Sequence, residues 1–409
     1  MSHGESVVVV GAGLAGLRSA TALRERGFAG EITIVGDEAH GPYDRPGLSK
    51  EVLIDRRTVL DTDLPVSADL HARWLLGRRA VSLERNRRHL TLDDGTTLDY
   101  DGLVIATGAS ARPWPGPGGL PRSGVHTLRG REDAAALRRA LTDGGPLLVI
   151  GAGFLGSEVA SAARALGLSV TLVDASSQPM ERAVGPVVGS VLAGVQRAAG
   201  VDLRLDTTVT ALPGRSVLKE ALLSDGTRVA IRTALIALGA LPNTDWLRGS
   251  GLRLNDGASG GIACDHRGHA LQADGRPTSD IVVLGDVAAP PHPLPYDGSP
   301  AHLSLGHWSA AVDHADTVAA ALLGQEDPAH EIVPSFWSDQ FGLRIRSVGL
   351  PMLAERTEVH EHDPVRSRLE ATYHRGGRNV GALTVNRASR LAAHRRRIVD
   401  AWYREETTT

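Results

Sequence analysis

Two copies of one glycine-rich fingerprint stand in this chain, and the doubling constrains its fold more than any other feature. Val7-Val8-Val9-Val10 runs into Gly11-Ala12-Gly13-Leu14-Ala15-Gly16, and Leu147-Leu148-Val149-Ile150 runs into Gly151-Ala152-Gly153-Phe154-Leu155-Gly156. Each reads as an apolar strand, a G-x-G-x-x-G turn and the start of a helix. The first glycine permits the tight turn, the second lets a pyrophosphate approach the backbone, and the third lets helix and strand pack closely, leaving the phosphates over the helix N-terminus. One such motif is weak evidence. Two, each followed by an acidic residue after the next strand, predict two dinucleotides held by one polypeptide. A flavin reduced by a nicotinamide cofactor is the economical reading.

The rest of the chain falls into place around those two units. In the first, a helix is predicted from about Leu14 to Arg26, then the strand Glu31-Ile32-Thr33-Ile34-Val35, with Asp37 and Glu38 at its end to accept a ribose diol. Leu103 to Ala106 forms another buried strand ending at Thr107-Gly108, and Pro113, Pro115, Pro117 and Pro121 stiffen the connection that follows. The second unit repeats the plan, with a helix to about Leu166, the strand Ser169 to Val173 ending at Asp174, and a closing strand Thr233 to Gly239. Ile281-Val282-Val283-Leu284 then presents Gly285-Asp286 at a carboxyl end, where ligands of open α/β sheets lie. From about Gln325 short β-like runs and a closing helix, Arg390 to Trp402, predict an α+β tail domain.

Composition removes several classes of function. Among 409 residues, 44 basic against 47 acidic side chains give no global pull toward nucleic acid or a membrane surface. A single cysteine, Cys264, excludes an intrachain disulfide, a redox-active dithiol and a four-cysteine iron–sulfur cluster within the chain. No apolar stretch is long enough to span a bilayer, and Glu5 leads almost directly into the first motif, so a cytoplasmic protein without membrane insertion is expected. Arg390, Arg395, Arg396 and Arg397 form a local basic cluster, either a solvated helix face or a docking surface for an acidic partner.

Between the first unit and its next strand lies Gly41-Pro42-Tyr43-Asp44-Arg45-Pro46-Gly47-Leu48-Ser49-Lys50, a turn-rich run ending on a cation. Together with both fingerprints, Thr107-Gly108, Gly285-Asp286, His307-Trp308 and Phe336-Trp337-Ser338-Asp339-Gln340, it resembles the FAD-dependent NADH:ferredoxin reductases of oxygenase and cytochrome P450 chains, the putidaredoxin-reductase type. The resemblance runs from about Val7 to Asn386. It implies an α/β, glutathione-reductase-like flavoprotein with two Rossmann-type dinucleotide-binding domains plus an α+β C-terminal domain. The FAD domain would comprise about 1–115 and 245–320, the NADH domain about 116–244 and the tail domain about 321–409.

The resemblance also implies roles, residue by residue. Gly11, Gly13, Leu14, Ala15 and Gly16 would hold the FAD pyrophosphate, and Asp37 or Glu38 its adenosine ribose. Arg45, Lys50, Val81, Thr107, Gly108, Arg129 and Asp286 match positions around the flavin, and Trp308 and Trp337 would lie near the isoalloxazine edge. Lys50 and Glu158 would pair close to flavin N5, where negative charge builds as hydride arrives. Taken as ordinary residues instead, Lys50 is a solvated lysine, Glu158 a first-turn acid favoured by the helix dipole, and the tryptophans core aromatics. Gly47, Gly306 and Ala310 depart from the family pattern, at the loop bearing Lys50 and on the side facing the flavin edge or the partner.

Gly151, Gly153, Phe154, Leu155, Gly156 and Gly239 would receive the nicotinamide cofactor. Asp174 predicts NADH over NADPH, because a carboxylate accepts the ribose diol and repels a 2′-phosphate. The expected acceptor is a 2Fe-2S ferredoxin serving a P450 or oxygenase, reached from a monomer or homodimer. The alternatives are a thiol-free oxidoreductase acting on oxygen, a quinone or another small molecule, and a NADH-responsive redox sensor resembling apoptosis-inducing-factor proteins.

Overall fold

The computed structural model describes residues 5–117, 119–121, 123–214, 216–255, 260–291, 302, 308–326 and 333–404. Val7, Val9, Ile32, Ile34 and Ile105 are almost fully buried, as strands covered on both faces require. They belong to a six-stranded sheet ordered His269–Leu271, Pro277–Val283, Gly102–Ile105, Ser6–Val10, Glu31–Gly36, Ala72–Leu76. All neighbours are parallel except the first pair. The chain therefore returns to this sheet after residue 269 to place Pro277–Val283 beside Gly102–Ile105.

A five-stranded parallel sheet repeats the arrangement in the order Asp202–Arg204, Val170–Val173, Leu147–Ile150, Thr233–Ile236, Val125–His126. The repetition extends to register: Val10 lies opposite Ile105 in the first sheet and Ile150 opposite Ile236 in the second. Each sheet is accompanied by a three-stranded antiparallel sheet, Ala80–Glu84 with His89–Leu92 and Thr97–Asp99, and Val209–Ala211 with Glu220–Leu223 and Arg228–Ala230. The two halves are stitched where Ala109–Ala111 pairs antiparallel with Ala240–Pro242.

A five-stranded antiparallel sheet follows, ordered Ser335–Gln340, Leu343–Gly349, Arg378–Val385, Arg368–Arg375, Arg356–Asp363. One face buries Phe336, Ile345, Leu383 and Tyr373 against Val184, Val188 and Leu192. The other buries Val348 and Ala382 against Ile398 and Trp402 of the C-terminal segment. Its helix runs Leu391–Val399 and continues as a wider turn over Asp400–Arg404, so the regular helix is shorter than the sequence pattern suggests.

The helix Glu181–Ala198, which the sequence pattern did not reveal, supplies Val184, Val188 and Leu192. Gly185 at φ +73° and Pro186 interrupt it, which hides its periodicity. The carbonyl of Val184, at that kink, accepts a hydrogen bond from the buried Tyr373 hydroxyl at 2.8 Å. Among the described residues no helix is long and apolar enough to cross a membrane.

Candidate active site

Both glycine turns are sterically required. A Cβ on Gly11, at φ +122°, would stand 2.1 Å from the Ala106 carbonyl oxygen, and one on Gly16 would stand 1.8 Å from the Gly11 oxygen. Gly151 and Gly156 repeat these approaches at 2.4 Å from Ala237 and 1.9 Å from Gly151. Gly13 and Gly153 meet nothing within 4 Å and cap the helices Leu14–Glu25 and Phe154–Ala165. Among the described residues neither helix has a side-chain cap or a first-turn acid, so the first N–H groups and the dipole of both are directed at whatever lies above. Such a helix end suits an anion, and the chain has two of them.

Over the first turn opens a cavity of about 790 Å³, within the range of cofactor pockets. Gly11, Gly13, Leu14, Ala15, Asp37, Glu38, Arg45, Lys50, Thr107, Gly108, Arg129 and Asp286 line it, and Gly153, Phe154, Leu155, Glu158, Gly239 and Trp337 close it from the other units. Arg129 Nη2 meets Asp286 Oδ2 at 2.7 Å, while the buried Arg129 Nε has no hydrogen-bond partner among the described residues. Arg45 donates to the Tyr43 hydroxyl at 2.7 Å and to the Arg129 carbonyl at 3.0 Å, and pairs with Glu38. The Tyr43 ring is met by two guanidinium groups, that of Arg45 at 4.8 Å and that of the buried Arg131 at 4.3 Å. Burial drives the Tyr43 hydroxyl well above its ordinary value and keeps it neutral. An elongated anionic ligand with a diphosphate fits this wall: glycine backbone at one end, fixed cations along the side, and an unused buried donor.

Lys50 and Glu158 meet at 3.1 Å, both largely buried, at the junction of the two units. Glu158 is not in the first turn of its helix, so the dipole does not account for it. The chain has 44 basic residues but only two lysines, Lys50 and Lys219. A chain that uses arginine almost everywhere keeps its compact, mobile ammonium here, a compositional signal independent of the motif. Also unread from sequence was Asn243. Its Nδ2 donates to the Thr107 carbonyl at 2.8 Å, its carbonyl accepts Thr107 Oγ1 at 2.9 Å, and Ser110 Oγ donates to its Oδ1 at 2.7 Å. Asn243 thus anchors the Thr107-Gly108 turn from the returning chain.

Several expected residues lie elsewhere. Val81 does not line the cavity: a register shift between Ala80 and Ser82 turns it outward, 44 % exposed. Gly16, Gly151 and Gly156 act through packing beneath the turns rather than as walls. Asp174 is outside the cavity, and its carboxylate accepts the Ala152 and Ser176 amides at 2.6 and 2.8 Å, which ties it to the second glycine turn. Trp308 opens the helix Trp308–Asp313, which also contains Ala310. The Trp308 and Ala310 side chains, and Gly306 and His307, lie outside what the structure describes. Gly47 sits in the short turn Arg45–Ser49, its carbonyl accepting the amides of Lys50 and Val52 at 3.3 Å, so the loop is closed despite the missing proline. Cys264 is fully buried, and burial pushes its thiol up, so it behaves as a core residue.

Residues 5–315 match the pyridine nucleotide-disulphide oxidoreductase family, and residues 335–405 match the reductase C-terminal domain. The chain belongs to this family. It is 37 % identical over 346 residues to the ferredoxin reductase component of chlorobenzene dioxygenase from Cupriavidus sp. (strain PS12), covering 84 % of this chain and 80 % of that protein. It is 36 % identical over 397 residues to the ferredoxin--NAD(+) reductase component of the p-cumate 2,3-dioxygenase system of Pseudomonas putida, covering 95 % and 92 %. The crystal structure of the covalent putidaredoxin reductase–putidaredoxin complex superimposes with a TM-score of 0.88 at 30 % identity, covering 98 % of this chain and 94 % of that one. A family named for disulphide chemistry thus includes a chain with one buried cysteine, and its reducing equivalents must leave by another route.

Proposed function

We propose that this chain is an NADH-dependent flavoprotein reductase that passes electrons to a 2Fe-2S ferredoxin serving a P450 or another oxygenase. The observation that carries the reading is the 3.1 Å contact between Lys50 and Glu158, which joins the first glycine unit to the second inside one cavity wall. FAD, when bound, supplies two-electron acceptance and one-electron release. Gly11, Gly13, Leu14 and Ala15 would hold its diphosphate, Asp37 or Glu38 its ribose, and Arg129 with Asp286 the chain between. Gly153, Phe154 and Leu155 would take the nicotinamide cofactor, with Asp174 reading its ribose. Lys50 places a positive charge where negative charge develops, and acts most strongly in a site that excludes water.

In this reading residues of about 1–115 and 245–320 serve FAD, about 116–244 serve NADH and about 321–409 form the tail domain. We place the protein in the cytoplasm, the compartment that supplies NADH; fractionation of the native host checks this. Heat release of the chromophore, identified by mass, should recover FAD. NADH should then support cytochrome c reduction only when a 2Fe-2S ferredoxin is present. Recovery of FMN or of no flavin overturns the assignment. Turnover with oxygen or a quinone but with no ferredoxin favours the stand-alone oxidoreductase.

A further inference from the structure

The Lys50–Glu158 pair has a further partner, contributed by the C-terminal sheet. Glu158 Oε1, which meets Lys50 Nζ, also accepts a hydrogen bond from Ser338 Oγ at 2.7 Å, and Oε2 accepts one from Ser49 Oγ at 2.6 Å. Ser338 is itself held, because Gln340 Nε2 donates to its oxygen at 3.0 Å. Gln196 Nε2 reaches Gln340 Oε1 at 3.5 Å and Ser157 Oγ at 3.1 Å, and Ser157 Oγ donates to the Ala152 carbonyl at 3.3 Å. Ser49, Ser157, Glu158, Gln196, Ser338 and Gln340 are all buried. A line of buried polar groups therefore runs from the cavity wall to the second glycine turn.

Packing alone does not call for this line. Phe336, Ser338 and Gln340 alternate onto one face of their strand, the face that covers the helix Glu181–Ala198. Phe336 obeys the apolar rule of that face, and the two polar residues break it. Apolar side chains there would carry no desolvation cost, whereas buried polar groups must each find partners. What Ser338 does is orient the Glu158 carboxylate. A lysine on a four-carbon stem is mobile, and Lys50 Nζ has a second acceptor in the Pro46 carbonyl at 3.3 Å. Only a carboxylate fixed in position selects one place for the ammonium.

We propose that Ser338 is a positioning residue for hydride transfer: its hydroxyl fixes Glu158 so that Lys50 is held toward the flavin. The C-terminal domain thereby completes the reductive site. The inference rests on the NADH-to-FAD reading above, and its test has a readout independent of that reading. Lys50 and Lys219 are the chain's two lysines, and Lys219 is exposed, so it serves as an internal standard for acetylation by acetic anhydride. In holoprotein carrying Ser338→Ala, or the near-isosteric Ser338→Cys, mass spectrometry should show Lys50 acetylated several-fold faster relative to Lys219 than in wild type.

Stopped-flow flavin reduction at saturating NADH should slow about tenfold, with the half-saturating NADH concentration unchanged. In a Lys50→Ala background Ser338→Ala should cause no further slowing, because the group it positions is gone. A wild-type acetylation ratio in both variants overturns the proposal. So does a slowing that multiplies with that of Lys50→Ala, since a general structural role predicts independence. If NADH fails to bleach wild-type protein, the functional reading falls, while the acetylation ratio still decides whether Ser338 holds Lys50.

Discussion

Asp174 is held by the backbone around the second glycine turn. Its oxygens accept two backbone amides, one of them from the second glycine turn, so it shapes that loop, and it is also the residue proposed above to read the cofactor ribose. Asp174→Ala is expected to raise the KM for NADH and to relax discrimination against NADPH, because both the diol acceptor and the repulsion are lost. A hydrogen bond to a charged group contributes about 1.5–3 kcal/mol, hence about tenfold or more in kcat/KM. An unchanged NADH to NADPH ratio would assign ribose recognition to another residue. The sequence singles out Asp174 because it ends the second strand of its unit, the position from which a carboxylate would reach a ribose. Its hydrogen bond to the glycine turn joins residues 22 positions apart and is decided by tertiary structure.

At the scale of elements, the two fingerprint helices have the same construction and separable consequences. Gly16→Ala drives a methyl into the Gly11 carbonyl, and Gly156→Ala does the same at Gly151. The first substitution should leave purified protein depleted in FAD. The second should leave FAD bound but abolish its rapid bleaching by NADH. Visible absorbance against protein content, then stopped-flow mixing, reads the two cases apart; equal FAD loss in both would mean that the glycines serve general packing.

The C-terminal helix offers a pH-dependent element. Glu370 is buried, which by itself raises its carboxyl, but hydrogen bonds from His394 and Arg390 and their charges hold it below the ordinary 4.5. A depressed folded-state value means stability that is present above 4.5 and lost as pH falls through the folded value. Glu370→Gln should therefore lower Tm at pH 7, and the gap from wild type should shrink progressively as the pH falls below about 4.5. A gap independent of pH would show that the loss is one of packing.

For the whole molecule, we propose that a partner protein docks on the C-terminal domain. Trp337 lines the cavity, and its cross-strand partner Arg346 lies two residues from Val348, which packs under the C-terminal helix, so pleating puts Trp337 on the helix-bearing face. Arg396 and Arg397 are exposed on that helix, while Arg390 is committed to Glu370 and Arg395 is half-buried. An acidic ferredoxin would be steered by such a surface. Its reduction should weaken sharply from low to moderate salt, whereas NADH-driven ferricyanide reduction changes little. Charge reversal at Arg396 and Arg397 should slow only the first reaction, chiefly through association rate. Equal salt sensitivity of both reactions would dismiss this docking surface.

What the sequence determined by itself was local: two strand–turn–helix cradles, the acidic residues at the ends of the following strands, and the turn that delivers Lys50. These depend on short-range sterics and strand or helix period, which residue types and spacing encode directly. The helix Glu181–Ala198 was illegible because Gly185-Pro186 breaks its period, and Val81 turned outward because a bulge shifts register, which no alternation pattern reports. Tertiary structure alone decided that Ser49, Glu158 and Ser338, up to 289 positions apart, share one carboxylate, and that Asn243 returns to hold Thr107. Contacts between distant segments depend on how the three large sheets pack against one another. Neither serine carries in its own neighbourhood any mark of the partner it meets.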